Sequence, residues 1–523
     1  MFRFLPKKQN PPAFQKKLAA MVPANEPNEE LTTDLGQNEQ MLRRIFQNCY
    51  DVVFHSFRLQ GDIQILIVYV SGLMDYKHLD EVFLRPIIFH GMPKHMDEFG
   101  KVLEEQLIAV GRTKVTKNVG DIVKQVLSGN VAILGDGDNK ALLAGIVGWE
   151  KRGIEEPASE PVVRGPREGF IENILTNISM IRRRLQTPRL KTEIFTIGEL
   201  SQTEVVIAYI EGVARESIVE EVRKRVGRIQ VDGILESAYI EEFIEDSPSS
   251  PFPQIINTER PDVVAGQLLE GRVAILVDGT PNTLIVPVSF WSAMQTSEDY
   301  YERFLVASLI RWLRYLYLII ALFFPSLYVA ITTYHQEMIP TSLLLTITAA
   351  RERSPFPALI EALMMEVTFE ALREAGLRLP KPIGQTLSIV GVLVIGEAAV
   401  SAGIVSAPMV IIVALTGIAS FTIPRYNFGF AIRLLRFPII LLAGTFGLYG
   451  VALACMTILF HITSLRSFGL PYFSPVAPLI PDELKDVVIR APWYKMILRP
   501  QFVSSKNLKR VPPGQKPGSK QGK

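Results

Sequence analysis

Four glutamates stand in or beside the apolar C-terminal part of the chain, where a charge is costly. Glu361, Glu366 and Glu370 belong to Phe356–Leu377, whose pattern predicts a helix, and Glu397 stands near the end of the next apolar run. Glu366 and Glu370 share one helix face, and like charges four residues apart repel. Such a face needs water, cations or a partner, so the four acids are candidates for an ion path, with Glu366 and Glu370 ranked first. The alternative is an interfacial helix with its acids among lipid headgroups.

No catalytic pattern accompanies these acids. The six histidines are scattered without the spacing of metal ligands (His55, His78, His90, His95, His335 and His461). The sequence contains no glycine-rich phosphate loop and none of the motifs HExxH, CxxC and GxSxG. We therefore expect no enzyme, no cofactor and no metal. A net charge of +2 gives no reason to expect nucleic acid as a partner.

The stretch GDGDNK, Gly135–Lys140, resembles the start of a calcium loop because Asp136 and Asp138 alternate. Lys140 falls where another oxygen ligand is required, however, and no glutamate closes a twelve-residue loop. The dipeptide DG is also a hairpin signal, since glycine accepts a positive φ and aspartate bonds its own backbone. We therefore predict a turn between two strands.

The first 300 or so residues contain a repeat. Val131–Gly137 (VAILGDG) recurs as Val273–Gly279 (VAILVDG) at an offset of 142, and Ile65–Leu73 (ILIVYVSGL) matches Val205–Val213 (VVIAYIEGV) at an offset of 140. Each β-branched apolar run has the pattern of a buried strand. Helix-patterned segments follow the first strand of each copy, DYKHLDEVFL and ARESIVEEVRKRV, and further ones precede each VAIL strand. Because order and spacing are kept, we predict an α/β soluble region of two tandem duplicated domains.

Five arginines form a basic cluster between the two copies, namely Arg164, Arg167, Arg182, Arg183 and Arg184. One interpretation is a site for phosphate or an acidic lipid. The other is a linker and a helix whose arginines pair with glutamates at the surface, and we favour this one.

The C-terminal part of the chain has the composition of a membrane domain. Hydrophobic residues make up 48% of the sequence and the mean hydropathy is +0.22, although charges occur every few residues up to Arg303. Beyond that point the apolar stretches are long enough to cross a bilayer. We predict an all-α polytopic domain of about four spans plus one re-entrant or interfacial segment, Met338–Ala350. The spans are Tyr315–Tyr334, the stretch between Lys381 and Glu397, Ala398–Pro424 and Phe437–Leu465.

Charges and cysteines suggest an orientation. Arg311 and Arg314 place the start of the first span on the cytosolic side. Four spans then return the C-terminus to the cytosol, but they leave three arginines outside, against the charge bias (Arg425, Arg433 and Arg436). Counting Met338–Ala350 as a fifth span places these arginines inside but the C-terminal tail outside, and we favour four spans. The chain has only two cysteines and its basic N-terminus lacks the apolar core of a signal peptide, so we expect the large N-terminal region in a reducing cytosol.

Five long motifs form a specific pattern. They are SPFPQIINTERPDVVAGQLLEGRVAILVDGTP (Ser250–Pro281), SEDYYERFLVASLIRWLRYLYLI (Ser297–Ile319), HQEMIPTSLLLTITAARE (His335–Glu352), EALMMEVTFEALREAGLRLPKPIGQT (Glu361–Thr386) and RSFGLPYFSP (Arg466–Pro475). Together they resemble the A subunits of spore germinant receptors, the GerA family. The resemblance covers about Tyr50 to Pro475, and the SpoVAF-type proteins share most of the pattern.

The resemblance implies a multi-pass subunit of the spore inner membrane. Such subunits look like the channel-forming component of a nutrient-gated complex, which includes a transporter-like B subunit and a lipoprotein C subunit and releases monovalent cations early in germination. Because one subunit of about four spans cannot enclose a pore, we expect self-association into a ring. The rival interpretation is a non-conducting, membrane-tethered binding or scaffold subunit.

The expected organisation has six parts. They are a flexible N-terminal region (1–49), a first α/β domain (50–153), a linker and helix (154–190), a second α/β domain (191–303), a membrane domain (304–475) and a basic C-terminal tail (476–523).

Overall fold

The computed structural model describes residues 29–58, 64–74, 113–145, 148, 156–157, 160–378, 396–504 and 507–518. The chain divides into two compact units. The first comprises Met1–Glu245, Ile255–Pro287 and Pro492–Lys523, and the second comprises Asp246–Gln254 and Val288–Ala491. The segment DYKHLDEVFL and nearly all of the span predicted between Lys381 and Glu397 lie outside the described residues.

The first unit begins with a helix and a five-stranded sheet. Helix α1 (Leu35–Ile45) is followed by β1 (Val52–Arg58), β2 (Gln64–Val70), β3 (Thr113–Thr116), helix α2 (Val119–Leu127), β4 (Val131–Gly135) and β5 (Ala141–Ala144). The strands form an antiparallel sheet in the order β1-β2-β4-β5-β3. Both helices contribute to one buried core with the sheet, because each has an apolar face. Helix α1 belongs to the stretch 1–49, for which we expected flexibility.

A second sheet in the same unit has the same strand order. Its elements are α3 (Ile174–Arg184), β6 (Leu190–Ile197), β7 (Thr203–Ile210), α4 (Glu216–Gly227), α5 (Ser237–Ile244), β8 (Ile256–Thr258), α6 (Pro261–Glu270), β9 (Val273–Val277) and β10 (Thr283–Val286). The order is β6-β7-β9-β10-β8, again with antiparallel neighbours. The helices expected in ARESIVEEVRKRV and before each VAIL strand are confirmed, as α4, α2 and α6.

The two VAIL strands, β4 and β9, occupy the same place in their sheets. Ile67 pairs with Ile133 in the first sheet, and Ile207 pairs with Ile275 in the second. Each VAIL strand leads into an antiparallel hairpin, so the turn prediction for GDGDNK is confirmed. Gly137 has φ 83°, a conformation that favours glycine.

The aspartates of the two turns hold the helix that precedes each sheet. The N–H of Leu35 at the start of α1 donates to Asp136 Oδ1 at 3.3 Å, and the N–H of Ile174 at the start of α3 donates to Asp278 Oδ1 at 3.1 Å. A carboxylate at a helix N-terminus accepts a backbone donor that has no partner within the helix. In both sheets the aspartate of the DG motif therefore anchors the N-terminus of the helix that precedes the sheet.

The basic cluster between the copies forms ion pairs. Arg182 is fully buried on α3, and its guanidinium donates to both carboxylate oxygens of Asp51 at 2.7 and 2.8 Å. Arg184 and Arg183 lie 2.7 and 3.4 Å from Glu168. The interpretation as a linker and helix whose arginines pair with glutamates is thus confirmed for Arg183 and Arg184, whereas Arg182 is buried and pairs with an aspartate.

The second unit is mainly helical. Its elements are α7 (Glu298–Tyr301), α8 (Phe304–Tyr334), α9 (Thr341–Arg351), α10 (Ala358–Arg378), α11 (Gly396–Ser401), α12 (Ala407–Phe421) and α13 (Tyr426–Ser464), followed by the short strands β11 (Arg466–Ser467) and β12 (Leu470–Pro471). Among the described residues, only α8 and α13 are long and apolar enough to span a membrane, and α12 is apolar but has 15 residues. The four predicted spans are therefore not confirmed.

Two helices differ from the predicted spans in their extent. Helix α8 begins at Phe304 rather than at Tyr315. Arg311 and Arg314, which were expected to flank the first span, therefore lie inside this helix. The predicted span Ala398–Pro424 is divided into α11 and α12 by Gly403, which has φ 67°. A side chain at Gly403 would approach the carbonyl oxygen of Arg353 to 3.0 Å, so this turn requires glycine.

Helix α13 folds back on itself at Gly447, where φ is 61° and ψ is −143°. The Tyr334 hydroxyl donates to carbonyl oxygens just before the break, at 3.0 Å for Gly444 and 3.1 Å for Thr445. The ring of Phe252 lies 6.0 Å from that of Phe428 and 6.1 Å from that of His461, measured between centroids. A straight helix would separate two residues 33 positions apart by about 50 Å. The two halves of α13 therefore form a hairpin, and the prediction of Phe437–Leu465 as one continuous span is wrong, because the chain reverses at Gly447 within it.

Candidate functional site

The acids of α10 face neighbouring helices. Glu361 is 0% exposed and Glu366 is 1% exposed, whereas the side chain of Glu370 keeps 28% of its surface. Small residues permit this close packing, since Ala358 and Ala362 of α10 belong to one core with residues of α8, α12 and α13. The structure thus brings three of the four candidate acids onto one helix inside the bundle.

Glu366 forms a buried ion pair with Arg436 of α13. The Nη1 atom of Arg436 donates to Glu366 Oε2, and both side chains are 1% exposed. The Nε atom of the same arginine donates to the carbonyl oxygen of Ala321 on α8 at 2.8 Å. One guanidinium therefore joins α8, α10 and α13.

The contact with Ala321 also fixes the height of Glu366 in the bundle. Ala321 lies near the middle of Phe304–Tyr334, one of the two helices with the length and composition of a span. Glu366 is accordingly level with the middle of α8 rather than with either end.

Glu370 is held by arginines from two directions. Arg433 of α13 donates to Glu370 Oε2 at 2.9 Å, and Arg373 Nη1 lies 3.8 Å from Glu370 Oε1. Arg373 also donates to Ser420 Oγ at 2.7 Å, near the end of α12, and its guanidinium lies 4.6 Å from the ring of Phe421. The like-charged face predicted for α10 thus has arginine partners.

Glu361 and Glu397 have different surroundings. Ser406 donates to Glu361 Oε2 at 2.8 Å, and no ion pair to Glu361 is present among the described residues. Glu397 is exposed in the first turn of α11, and it makes no hydrogen bond or ion pair within the described part of the chain. The structure therefore does not bring Glu397 into the cluster of Glu361, Glu366 and Glu370.

A second charged network surrounds the beginning of α8. Asp299 lies 2.9 Å from Arg311 and 3.1 Å from Arg314, and Arg311 also lies 3.0 Å from Asp486. Burial raises the pKa of the Asp299 carboxyl, but Arg314 and Arg311 outweigh this effect and hold the pKa below its usual value. The arginines that the sequence assigned to a cytosolic flank are therefore parts of a buried ion-pair network.

Sequence reasoning missed the partners of the acids. Arg433 and Arg436 were considered only for their effect on orientation. The sequence did contain a signal. Arg433 and Arg436 are three residues apart and Glu366 and Glu370 are four residues apart, and either spacing places two side chains on one helix face, so the two faces have complementary charges. Nothing in the sequence pairs the two helices, however.

A cavity of about 450 Å³ lies within the first unit, beside the edge strand β6. Its lining includes Arg43, Asn48, Tyr50, Thr192 and Glu193. Glu193 accepts hydrogen bonds from Tyr209 at 2.6 Å and from Arg223 at 2.8 Å, so its charge is already satisfied. The pKa of Glu193 lies below its usual value because these bonds outweigh the effect of burial.

Two similar antiparallel sheets, followed by a helical unit with buried ion pairs and two helices long enough to span a bilayer, define a membrane protein with a large folded region ahead of its helices. The chain belongs to the GerA family: the model for the Bacillus/Clostridium GerA spore germination protein matches residues 40–502.

Similar proteins come from spore-forming bacteria. The chain is 47% identical to the uncharacterized membrane protein YfkQ of Bacillus subtilis (strain 168), covering 94% of this chain and 96% of that one. It is 44% identical to spore germination protein KA of the same strain, over 93% of this chain and 90% of that one. It is 41% identical to spore germination protein GerLA of Bacillus cereus, over 87% of this chain and 93% of that one. The crystal structure of the N-terminal domain of the A subunit of the Bacillus megaterium spore germinant receptor GerK3 matches with a TM-score of 0.39 and 33% identity, over 50% of this chain and 98% of that one.

Proposed function

We propose that this chain is a membrane subunit of a spore germinant receptor, and that several copies form a nutrient-gated channel for monovalent cations that starts germination. Its place is the inner membrane of the spore, with the large N-terminal region in the cytosol. Germination proteins among its relatives and the apolar helices α8 and α13 support this proposal.

The observation that carries the channel proposal is the buried pair of Glu366 and Arg436 beside the middle of α8. Ionisable groups at membrane depth are costly and mark ion pathways. In the closed state the arginines neutralise Glu366 and Glu370. Release of these pairs exposes two carboxylates to a passing cation. We therefore keep Glu366 and Glu370 as the first ion-path residues, followed by Glu361 and Glu397.

Assembly follows from the small number of long helices. Helix α8 and the two halves of the α13 hairpin, the long apolar helices among the described residues, are too few to enclose a water-filled pore. We therefore propose a ring of identical subunits, in complex with the B and C subunits of the receptor. The two sheets precede α8 in the chain, and they hold neighbouring subunits in register.

The two sheets derive, in this proposal, from an internal duplication. Their shared strand order supports it, and so do matching side chains. Asn38 donates to the carbonyl oxygen of Thr32 at 2.7 Å, and Asn177 donates to that of Ile171 at 2.6 Å, each six residues back. The two asparagines are 139 residues apart, close to the offsets of the repeated strands.

The rival function is a non-conducting binding or scaffold subunit. Two observations favour it: Glu366 and Glu370 are neutralised by arginines, and the first unit contains a cavity of about 450 Å³. In this function α8 and α13 only anchor the chain, and the ion pairs only stabilise the bundle.

Potassium flux distinguishes the two functions. The full-length chain is placed in liposomes, alone and with its B and C partners, and potassium release is recorded with and without nutrient. The channel proposal predicts flux from the wild type, altered flux from the double variant Glu366→Gln/Arg436→Gln, and unchanged flux from Glu374→Gln. Glu374 is a matched control because it lies on the same helix with 58% of its side chain exposed. Absence of flux under every condition would exclude the channel and leave the scaffold.

A further inference from the structure

Glu361 differs from the other acids of α10 because no basic side chain in the described part of the chain forms an ion pair with it. Glu366 and Glu370 each accept a hydrogen bond from an arginine of α13. Glu361 is 0% exposed, and within the described residues it receives only the hydroxyl of Ser406, while its Oε1 atom has no hydrogen-bond partner. A buried ionised carboxylate without a counter-charge is strongly unfavourable. Within the described residues an ionised Glu361 therefore lacks a counter-charge, which a bound cation would supply.

Oxygen atoms from three helices converge on this position. Ser406 immediately precedes α12, where its side chain makes no capping bond, and it donates to Glu361 instead. Its oxygen keeps lone pairs for a further ligand. Tyr328 of α8 lies beside Ser406 and within electrostatic range of Glu361, and its buried hydroxyl has no hydrogen bond of normal geometry. Arg351 is also within electrostatic range of Tyr328, but it forms no ion pair with Glu361 in the described part of the chain.

We propose that Glu361, Ser406 and Tyr328 form a binding site for one monovalent metal cation such as potassium or sodium. One carboxylate and two neutral hydroxyl oxygens match the preference of hard cations for oxygen ligands. The single negative charge is balanced by one positive charge, whereas a divalent ion would leave an excess charge in a buried place. The choice of cation rests on the proposed function, but binding at this site does not require conduction.

The test measures binding rather than flux. The purified full-length chain in detergent is heated in potassium chloride, in sodium chloride and in N-methyl-D-glucamine chloride of equal ionic strength. A ligand that binds only the folded state raises the unfolding temperature. We expect the wild type to unfold about 2 °C or more higher in potassium or sodium than in the organic cation. Glu361→Gln should abolish this difference, and Ser406→Ala and Tyr328→Phe should each reduce it.

Glu374→Gln provides the control and should keep the full difference, since Glu374 is exposed and pairs with Arg378. If Glu361→Gln does not fold, the variants Ser406→Ala and Tyr328→Phe test the proposal, because both keep the Glu361 carboxylate. Equal unfolding temperatures of the wild type in all three salts would overturn the proposal. A cation effect that survives in all three site variants would overturn it as well. Either result leaves the liposome test of the channel unaffected.

Discussion

Pro325 and Arg436 are coupled through one carbonyl oxygen. In a regular helix the N–H of residue 325 would donate to the carbonyl of Ala321, but proline has no N–H. The Nε atom of Arg436 donates to this oxygen instead, at 2.8 Å, and Nη1 of the same side chain binds Glu366. The proline in α8 therefore creates the acceptor that orients the arginine of the ion pair.

Removal of one partner of this pair should cost far more than removal of both. Glu366→Gln or Arg436→Gln leaves a buried charge uncompensated, which we expect to lower the free energy of unfolding by about 3–5 kcal/mol. The double variant should lose less than the sum of the two single losses, because no unpaired charge remains. Thermal unfolding of the full-length chain measures both effects. The exposed pair Glu374–Arg378 is the control, with an expected loss below about 0.5 kcal/mol.

Gly447→Ala should destabilise the hairpin of α13. The backbone at Gly447 has φ 61° and ψ −143°, which side chains disfavour, and a Cβ would lie 3.0 Å from His335 Nε2 and 3.1 Å from Tyr334 Cβ. We expect a loss of about 1–3 kcal/mol in the free energy of unfolding. Gly266→Ala on α6 is the matched control, since a Cβ there meets nothing within 4 Å and alanine favours the helix. Similar unfolding temperatures for the two variants would contradict the assigned role of Gly447.

The free energy of unfolding should depend on pH through Glu241 of α5. Burial and the charges of Glu245, Glu236 and Glu242 raise the pKa of Glu241 from 4.5 to about 7. Between these values the folded chain keeps a proton that the unfolded chain has lost, so this contribution to stability is full below pH 4.5 and is lost as the pH rises through 7. Thermal unfolding at both ends of the range measures it.

Glu241→Gln should therefore stabilise the chain at pH 8, by about 1–2 kcal/mol after allowance for solvent screening, and have little effect near pH 4.5. Glu220→Gln on the exposed side of α4 is the control and should show no such pH dependence. An equal effect of Glu241→Gln at both pH values would exclude the shifted carboxyl as the cause.

Asn38→Ala and Asn177→Ala should destabilise the first unit by similar amounts. Each asparagine is 1% exposed, and each exchanges two hydrogen bonds with the backbone six residues earlier. Truncation leaves buried backbone groups without partners, so we expect a loss of about 2–3 kcal/mol in each case. Gln40→Ala, on an exposed position of α1, is the control. A loss confined to one of the two asparagines would argue against equivalent roles in a duplicated fold.

Local patterns predicted the strands β2, β4, β5, β7, β9 and β10, but not the edge strands β1, β3, β6 and β8. The equivalence of α1 and α3 could also have been recognised from the sequence. MLRRIFQ (Met41–Gln47) and MIRRRLQ (Met180–Gln186) recur at an offset of 139, but the charged residues in both obscure the match. The partners of the acids were not readable, because Glu366 and Arg436 are 70 residues apart and meet only through the packing of α10 against α13. The hairpin of α13 was not predicted either, because one glycine in a long apolar run does not indicate that the chain reverses direction there.

The chain enters and leaves the helical unit at the same end. Phe290 lies 5.1 Å from Phe428, at the start of α13, and the neighbouring Trp291 lies 5.7 Å from Tyr315 in the first half of α8, between ring centroids. The end of α13 returns to the same group of rings through His461 and Phe252. Arg425, immediately before α13, therefore lies at the same end of the helical unit as Arg311, so the two would face the same side of a membrane that this unit spans.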